Sequence, residues 1–169
     1  IGVLAALAIY SVRKYLLNAK TAEARAALGR ISKDASSAFD RERMVAGAMG
    51  LGDARESTNQ LCVSAGNKVP EDEGDIKGKK YQSDPQDWDD AKGWSCLRYT
   101  MQDPQYFMYN YSASGTGAEN DTIAATAEGD LDGDGVLSTY TLAGLVQKGA
   151  NEDIILTLSP SIQEVQPEE

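Results

Sequence analysis

The sequence contains no histidine, only two cysteines, and just two phenylalanines in 169 residues. Without histidine there is no Ser-His or Cys-His catalytic pair, no imidazole proton shuttle and none of the usual zinc ligand sets. The two cysteines, Cys62 and Cys96, stand too far apart for a C-x-x-C redox or haem-attachment motif. Basic charge is also scarce. The 16 Lys and Arg against 26 Asp and Glu leave a net −10, which argues against wholesale nucleic-acid binding. The opening apolar stretch, Ile1 to Val12, is shorter than the roughly 20 residues that cross a bilayer. Together these absences point away from an enzyme.

What charge there is lies unevenly. Residues 1–50 carry a net +4 and residues 51–169 a net −14. Such asymmetry suits an interaction role in which a basic end of one copy meets an acidic end of another; a basic helix docked on its own acidic domain is the plainer alternative. The apolar run from Ile1 meets its first charges at Arg13-Lys14. It reads either as an ordinary amphipathic start or, better, as the trailing half of a longer hydrophobic segment. From Arg13 to about Ala48 the chain is rich in Ala and free of Pro, with Gly29 its one glycine before Gly47. Leu16, Ala19, Leu28, Ile31, Ala35, Ala38 and Phe39 recur at helical spacing and predict one buried stripe. A helix over 1–48 would be about 70 Å long. A globular head covers only its second half, 18–48. The first half, 1–17, must bury its apolar surface in a membrane or against copies of itself.

Residues 49–169 form the predicted head. Its first part, 49–93, reads as a long connection with six glycines, two prolines and acid clusters such as Glu71-Asp72-Glu73. A Cys62–Cys96 disulfide would clamp it and contribute roughly 3–4 kcal/mol; two buried free thiols are the alternative. Strand signals then follow in series over 94–158: Trp94–Met101, Tyr106–Ser112, a hairpin of Thr122–Glu128 with Val136–Leu142 around Gly129–Gly135, and Ile154–Leu158. Consecutive strands with short links predict an antiparallel meander packed on the helix, an α+β fold. The tail 159–169 is polar and expected to be loose.

The hairpin loop carries the sharpest chemical pattern. Asp130-Leu131-Asp132-Gly133-Asp134-Gly135 matches the first half of an EF-hand calcium loop, with the Val136 carbonyl and Ser138 at the next ligand positions. Thr141 stands where a bidentate Glu is needed, and the flanks read as strands, so this is no EF-hand. A hairpin turn holding structural calcium is one reading. Asp-Gly pairs that simply satisfy turn geometry are the other. No cofactor is otherwise required.

The opening Ile1-Gly2-Val3-Leu4-Ala5-Ala6-Leu7-Ala8-Ile9, followed by a long Ala/Lys/Arg helix, resembles the N-terminal helix of type IV pilins and pseudopilins. The cysteine pair, Trp94 before Cys96, the Tyr106–Tyr111 strand and the Gly129–Gly135 hairpin agree with that resemblance. The family's opening N-methylated Phe and following Glu have no counterpart here, and Tyr10 stands where pilins commonly carry a Pro, so any unwinding of the helix is expected to be small or centred nearer Gly2. The resemblance implies the pilin fold and a structural subunit that polymerises into a filament on the bacterial surface. It also implies residence in the inner membrane before assembly, copies of itself and the pilus assembly machinery as partners, and Ile1, Val3, Leu4, Leu7, Ile9, Val12 and Leu16 as the self-assembly surface. A pseudopilin of a type II secretion system and, in another class, a secreted calcium-binding module are the alternatives.

Overall fold

The computed structural model describes residues 2–41, 43–44, 49–54 and 57–167, with backbone alone at 2–6, 44 and 57. Helix α1 (Gly2–Phe39) runs unbroken for 38 residues, about 57 Å. No proline interrupts it, so every interior N–H keeps its i−4 partner. It stops nine residues short of the expected Ala48. The reason is tertiary: beyond Phe39 the guanidiniums of Arg41 and Arg43 turn back into the head. Arg41 donates to the Cys96 carbonyl at 2.9 Å, and Arg43 lies 3.4 Å from the Ala38 carbonyl, an acceptor the helix end leaves open.

Two short strands follow, β1 (Arg43–Met44) and β2 (Ser57–Thr58), paired antiparallel. After two 3₁₀ turns (Glu73–Asp75 and Pro85–Trp88) comes a short helix, α2 (Gly93–Leu97). The main sheet is antiparallel: β3 (Met108–Ser114), β4 (Thr122–Gly129), β5 (Ser138–Lys148), β6 (Ile154–Leu158) and β7 (Gln163–Val165). Strands β3 to β6 follow in sequence order, and β5 is long enough to pair twice along its second edge. There β6 takes Gly144–Lys148 and β7 takes Thr139–Thr141. The expected α+β architecture, a long N-terminal helix on an antiparallel sheet, is what the structure has, and it is consistent with the pilin fold.

Burial divides α1 in two. Ala24, Ala27, Leu28, Ile31, Ala35, Ala38 and Phe39 are buried on β4 and β5, against Ile123, Ala125, Ala127, Tyr140 and Val146. Alanine on both sides lets helix and sheet approach closely, while the large rings fill the flanks. The predicted stripe needs one correction. Leu16 and Ala19 are exposed, because the sheet does not extend that far along the rod.

Two further expectations change, and a third is extended. Trp94–Met101 is no strand: Leu97, Tyr99 and Met101 are all buried, as the alternation requires, but α2 and a left-handed Arg98 (φ 60°) deliver them. At its start Gly93 is packed so tightly that a β-carbon would lie 2.5 Å from the Ala65 nitrogen. The connection 49–93, expected to be clamped by the disulfide, is tied to the head by more than that bond. Val69 pairs with Tyr109 and Tyr81 with Gln105, and the Gln105 amide donates to the Val69 and Phe107 carbonyls at 2.8 and 2.9 Å. This segment covers the edge of β3. The tail is tied down as well, since β7 pairs with β5, Glu164 meets Arg25 at 2.9 Å, and the Tyr140 hydroxyl donates to the Pro167 carbonyl.

Candidate functional site

The first surface that stands out is the half of α1 that the head leaves largely uncovered. Leu7, Ile9, Val12 and Leu16 are each more than half exposed, and Tyr10 and Tyr15 more so. Leu17 is the first apolar side chain to reach the head, and Thr21 the first to be fully buried. Of the remaining residues expected to drive assembly, Ile1 lies outside the described residues, as do the side chains of Val3 and Leu4. Exposed apolar groups from Leu7 to Leu16, about three turns of one helix, form a surface of the kind that marks contact with lipid or protein. Among the described residues, no helix is long and apolar enough to cross a membrane.

The second is the β4–β5 loop. Carboxylate oxygens of Asp130, Asp132 and Asp134 come within 4.8 Å of one another. Asp130 is buried and organises the turn, accepting the Gly133 N–H at 2.6 Å and the Gly135 N–H at 2.9 Å. Both donors need positive φ (85° and 95°), which explains the two glycines. The Asp132 and Asp134 carboxylates each accept from the N–H two residues on. Gly78 donates to the Asp130 carbonyl and lies against Gly133, so the 3₁₀ connection buttresses the loop. The three carboxylates supply three of the six to eight oxygens that calcium takes. Val136 is exposed at the start of the outgoing strand, and the Ser138 hydroxyl donates to the Gly129 carbonyl at 2.9 Å. Thr141 pairs with Thr126 in the ladder. The Lys77 ammonium reaches over Gly135 and offers positive charge of the protein's own.

Cys62 and Cys96 are joined as a disulfide. The bond pins α2 to the connection and closes the segment that holds the aromatic cluster. Trp88 meets Trp94 at 5.0 Å and Tyr99 at 5.2 Å, both edge-on. Each indole N–H has an acceptor, Ser83 Oγ for Trp88 and the Asn67 carbonyl for Trp94. The Arg43 guanidinium lies 3.1 Å from the Cys96 sulfur and 3.4 Å from the Cys62 sulfur, a contact with no signal in the sequence.

Glu23 also escapes a reading of the sequence, although a lone acid in Thr21-Ala22-Glu23-Ala24 beside buried positions hints at it. It sits on the packed side of α1, where it accepts the Tyr106 backbone N–H at 2.8 Å and lies 3.3 Å from the Tyr109 hydroxyl. Burial pushes its pKa up, and these hydrogen bonds and Lys80 offset only part of that rise. The same burial, with the Glu23 charge added, pushes the Tyr109 phenol well above its ordinary range.

Comparison with family models, with curated proteins and with solved structures gives no match.

Proposed function

We propose that this chain is the structural subunit of a bacterial type IV pilus, polymerising through α1 into a surface filament. One observation carries the reading: an unbroken helix whose second half is buried in the head while its first half exposes Leu7, Ile9, Val12 and Leu16. That half needs a partner, and identical helices side by side bury it without any further component. Before assembly the inner membrane takes the partner's place, and the assembly machinery draws subunits from lipid into the filament. The protein acts by packing and not by catalysis, and the acidic head faces solvent, where its charge keeps the filament surface soluble. The Asp130–Asp134 loop holds a structural calcium that screens three carboxylates at close quarters.

The test is assembly of the full chain, followed by electron microscopy and pelleting. Leu7→Asp with Val12→Asp places charge on the exposed face and touches nothing in the head. The variant is expected to lose filaments while the melting midpoint of the head stays unchanged. Filaments formed equally well by the variant would overturn the reading. Short periplasmic assemblies in place of long surface filaments would favour a pseudopilin.

A further inference from the structure

Where α1 leaves the head, it and the β4–β5 loop enclose a groove of 540 Å³. Among the described residues, Arg13, Lys14 and Lys20 line it together with Tyr10, Leu16, Leu17, Leu131 and the carboxylate of Asp132. The cation cluster extends past its rim. The Lys20 ammonium lies 4.9 Å from the centre of the Tyr106 ring, and the Lys80 ammonium lies 4.4 Å from the same ring. The two ammonium groups share one aromatic ring, and the Glu23 carboxylate, which accepts the Tyr106 N–H, stands beside them as a negative charge of the protein's own.

We propose that this groove seats the phosphate headgroup of an anionic phospholipid, so that the head rests on a membrane surface by this face before assembly. The inference deepens the proposed function and rests on its membrane stage. Depth and charge both fit. Leu7 stands six residues before Arg13, about 9 Å along the helix, so the cations begin at the head-side end of the exposed apolar stretch, with Leu16 interleaved among them. Tyr10 and Tyr15 mark the same level, where aromatic rings favour the lipid–water boundary. Charge complementarity selects the lipid: residues 51–169 carry a net −14, so an anionic surface repels most of the head and attracts it at this base. An acidic face of a second copy is the competing occupant. One acid-lined surface, the hollow bounded by Glu71, Asp72, Asp87 and Asp90, is itself concave, and a subunit contact through another acidic face is the outcome that filament assembly of the groove variant reads.

The experiment uses the full chain as monomer, with vesicles of phosphatidylcholine alone and of an equimolar mixture with phosphatidylglycerol. The variant Arg13→Gln/Lys14→Gln/Lys20→Gln is compared with Lys33→Gln/Lys92→Gln/Arg98→Gln, which removes the same charge from exposed positions elsewhere. Circular dichroism and thermal melting establish that both fold. The native chain is expected to prefer the anionic vesicles in a salt-sensitive manner. The groove variant should lose about 100-fold in binding to them, and the control should lose far less. Equal binding to both vesicle types would overturn the proposal, as would equal losses in the two variants. Vesicle binding by the groove variant at the native level, with filaments alone impaired, would transfer the cations to a subunit contact and overturn it too. Because binding is read on monomer, a failure of the native chain to form filaments counts against the proposed function and not against the groove.

Discussion

Glu23 shows how much one side chain sets at the seam between α1 and the sheet. Its carboxyl is held above its ordinary value of 4.5, with burial as the main cause. Between 4.5 and the raised value the folded protein binds more of this proton than the unfolded chain does. Stability from this group is therefore complete at low pH and is lost as the pH rises through that window. Glu23→Gln keeps an oxygen for the Tyr106 N–H and removes the charge. The variant should melt higher than the native protein at pH 7, with the difference closing as the pH falls below 4.5; a lower melting point at pH 7 would contradict this. The carboxylates of Asp130, Asp132 and Asp134 make a second residue-scale prediction. Calcium at a hundredfold excess over Kd should stabilise the fold by about 2.7 kcal/mol and so raise the melting midpoint, and Asp132→Asn/Asp134→Asn should abolish the rise. An unchanged midpoint in the native protein would leave Lys77 and water as the screen.

Among the elements, the β4–β5 hairpin and β6 were legible because alternation and Asp-Gly turns act locally. Strand register there follows from the turn, and the structure places Thr122–Gly129 opposite Ser138–Leu145. The elements that differ were decided by distant partners. Trp94–Met101 has the alternation of a strand, yet Cys96 must reach Cys62 and Gly93 must fit against Ala65, which only a short helix achieves. Helix α1 ends early because Arg41 and Arg43 find acceptors in the head, and the polar tail is ordered because Glu164 meets Arg25. None of these pairings leaves a periodic trace. The disulfide is the element-scale prediction. Cys62→Ser/Cys96→Ser should destabilise the head by roughly 3–4 kcal/mol, lowering its melting point while leaving α1 helical by circular dichroism. A loss under about 1 kcal/mol would mean that the Trp88–Trp94–Tyr99 cluster holds the connection by itself.

At the scale of the whole molecule, the two halves of α1 obey different solvents. One is buried by its own head, and the other exposes apolar side chains over about three turns, with cations where the two meet. This division was readable in outline, since an apolar run followed by an amphipathic one needs only helical periodicity. The groove at the junction was not, because Leu131 and Asp132 arrive from more than a hundred residues away. The filament account requires the uncovered halves to come together. The most direct measurement is an electron-microscopy reconstruction of filaments grown from the full chain. The account predicts that Leu7, Ile9, Val12 and Leu16 of neighbouring subunits pack against one another at the axis, with the sheets outside. A chain that stays monomeric, or filaments whose α1 halves lie on the outer surface, would contradict it.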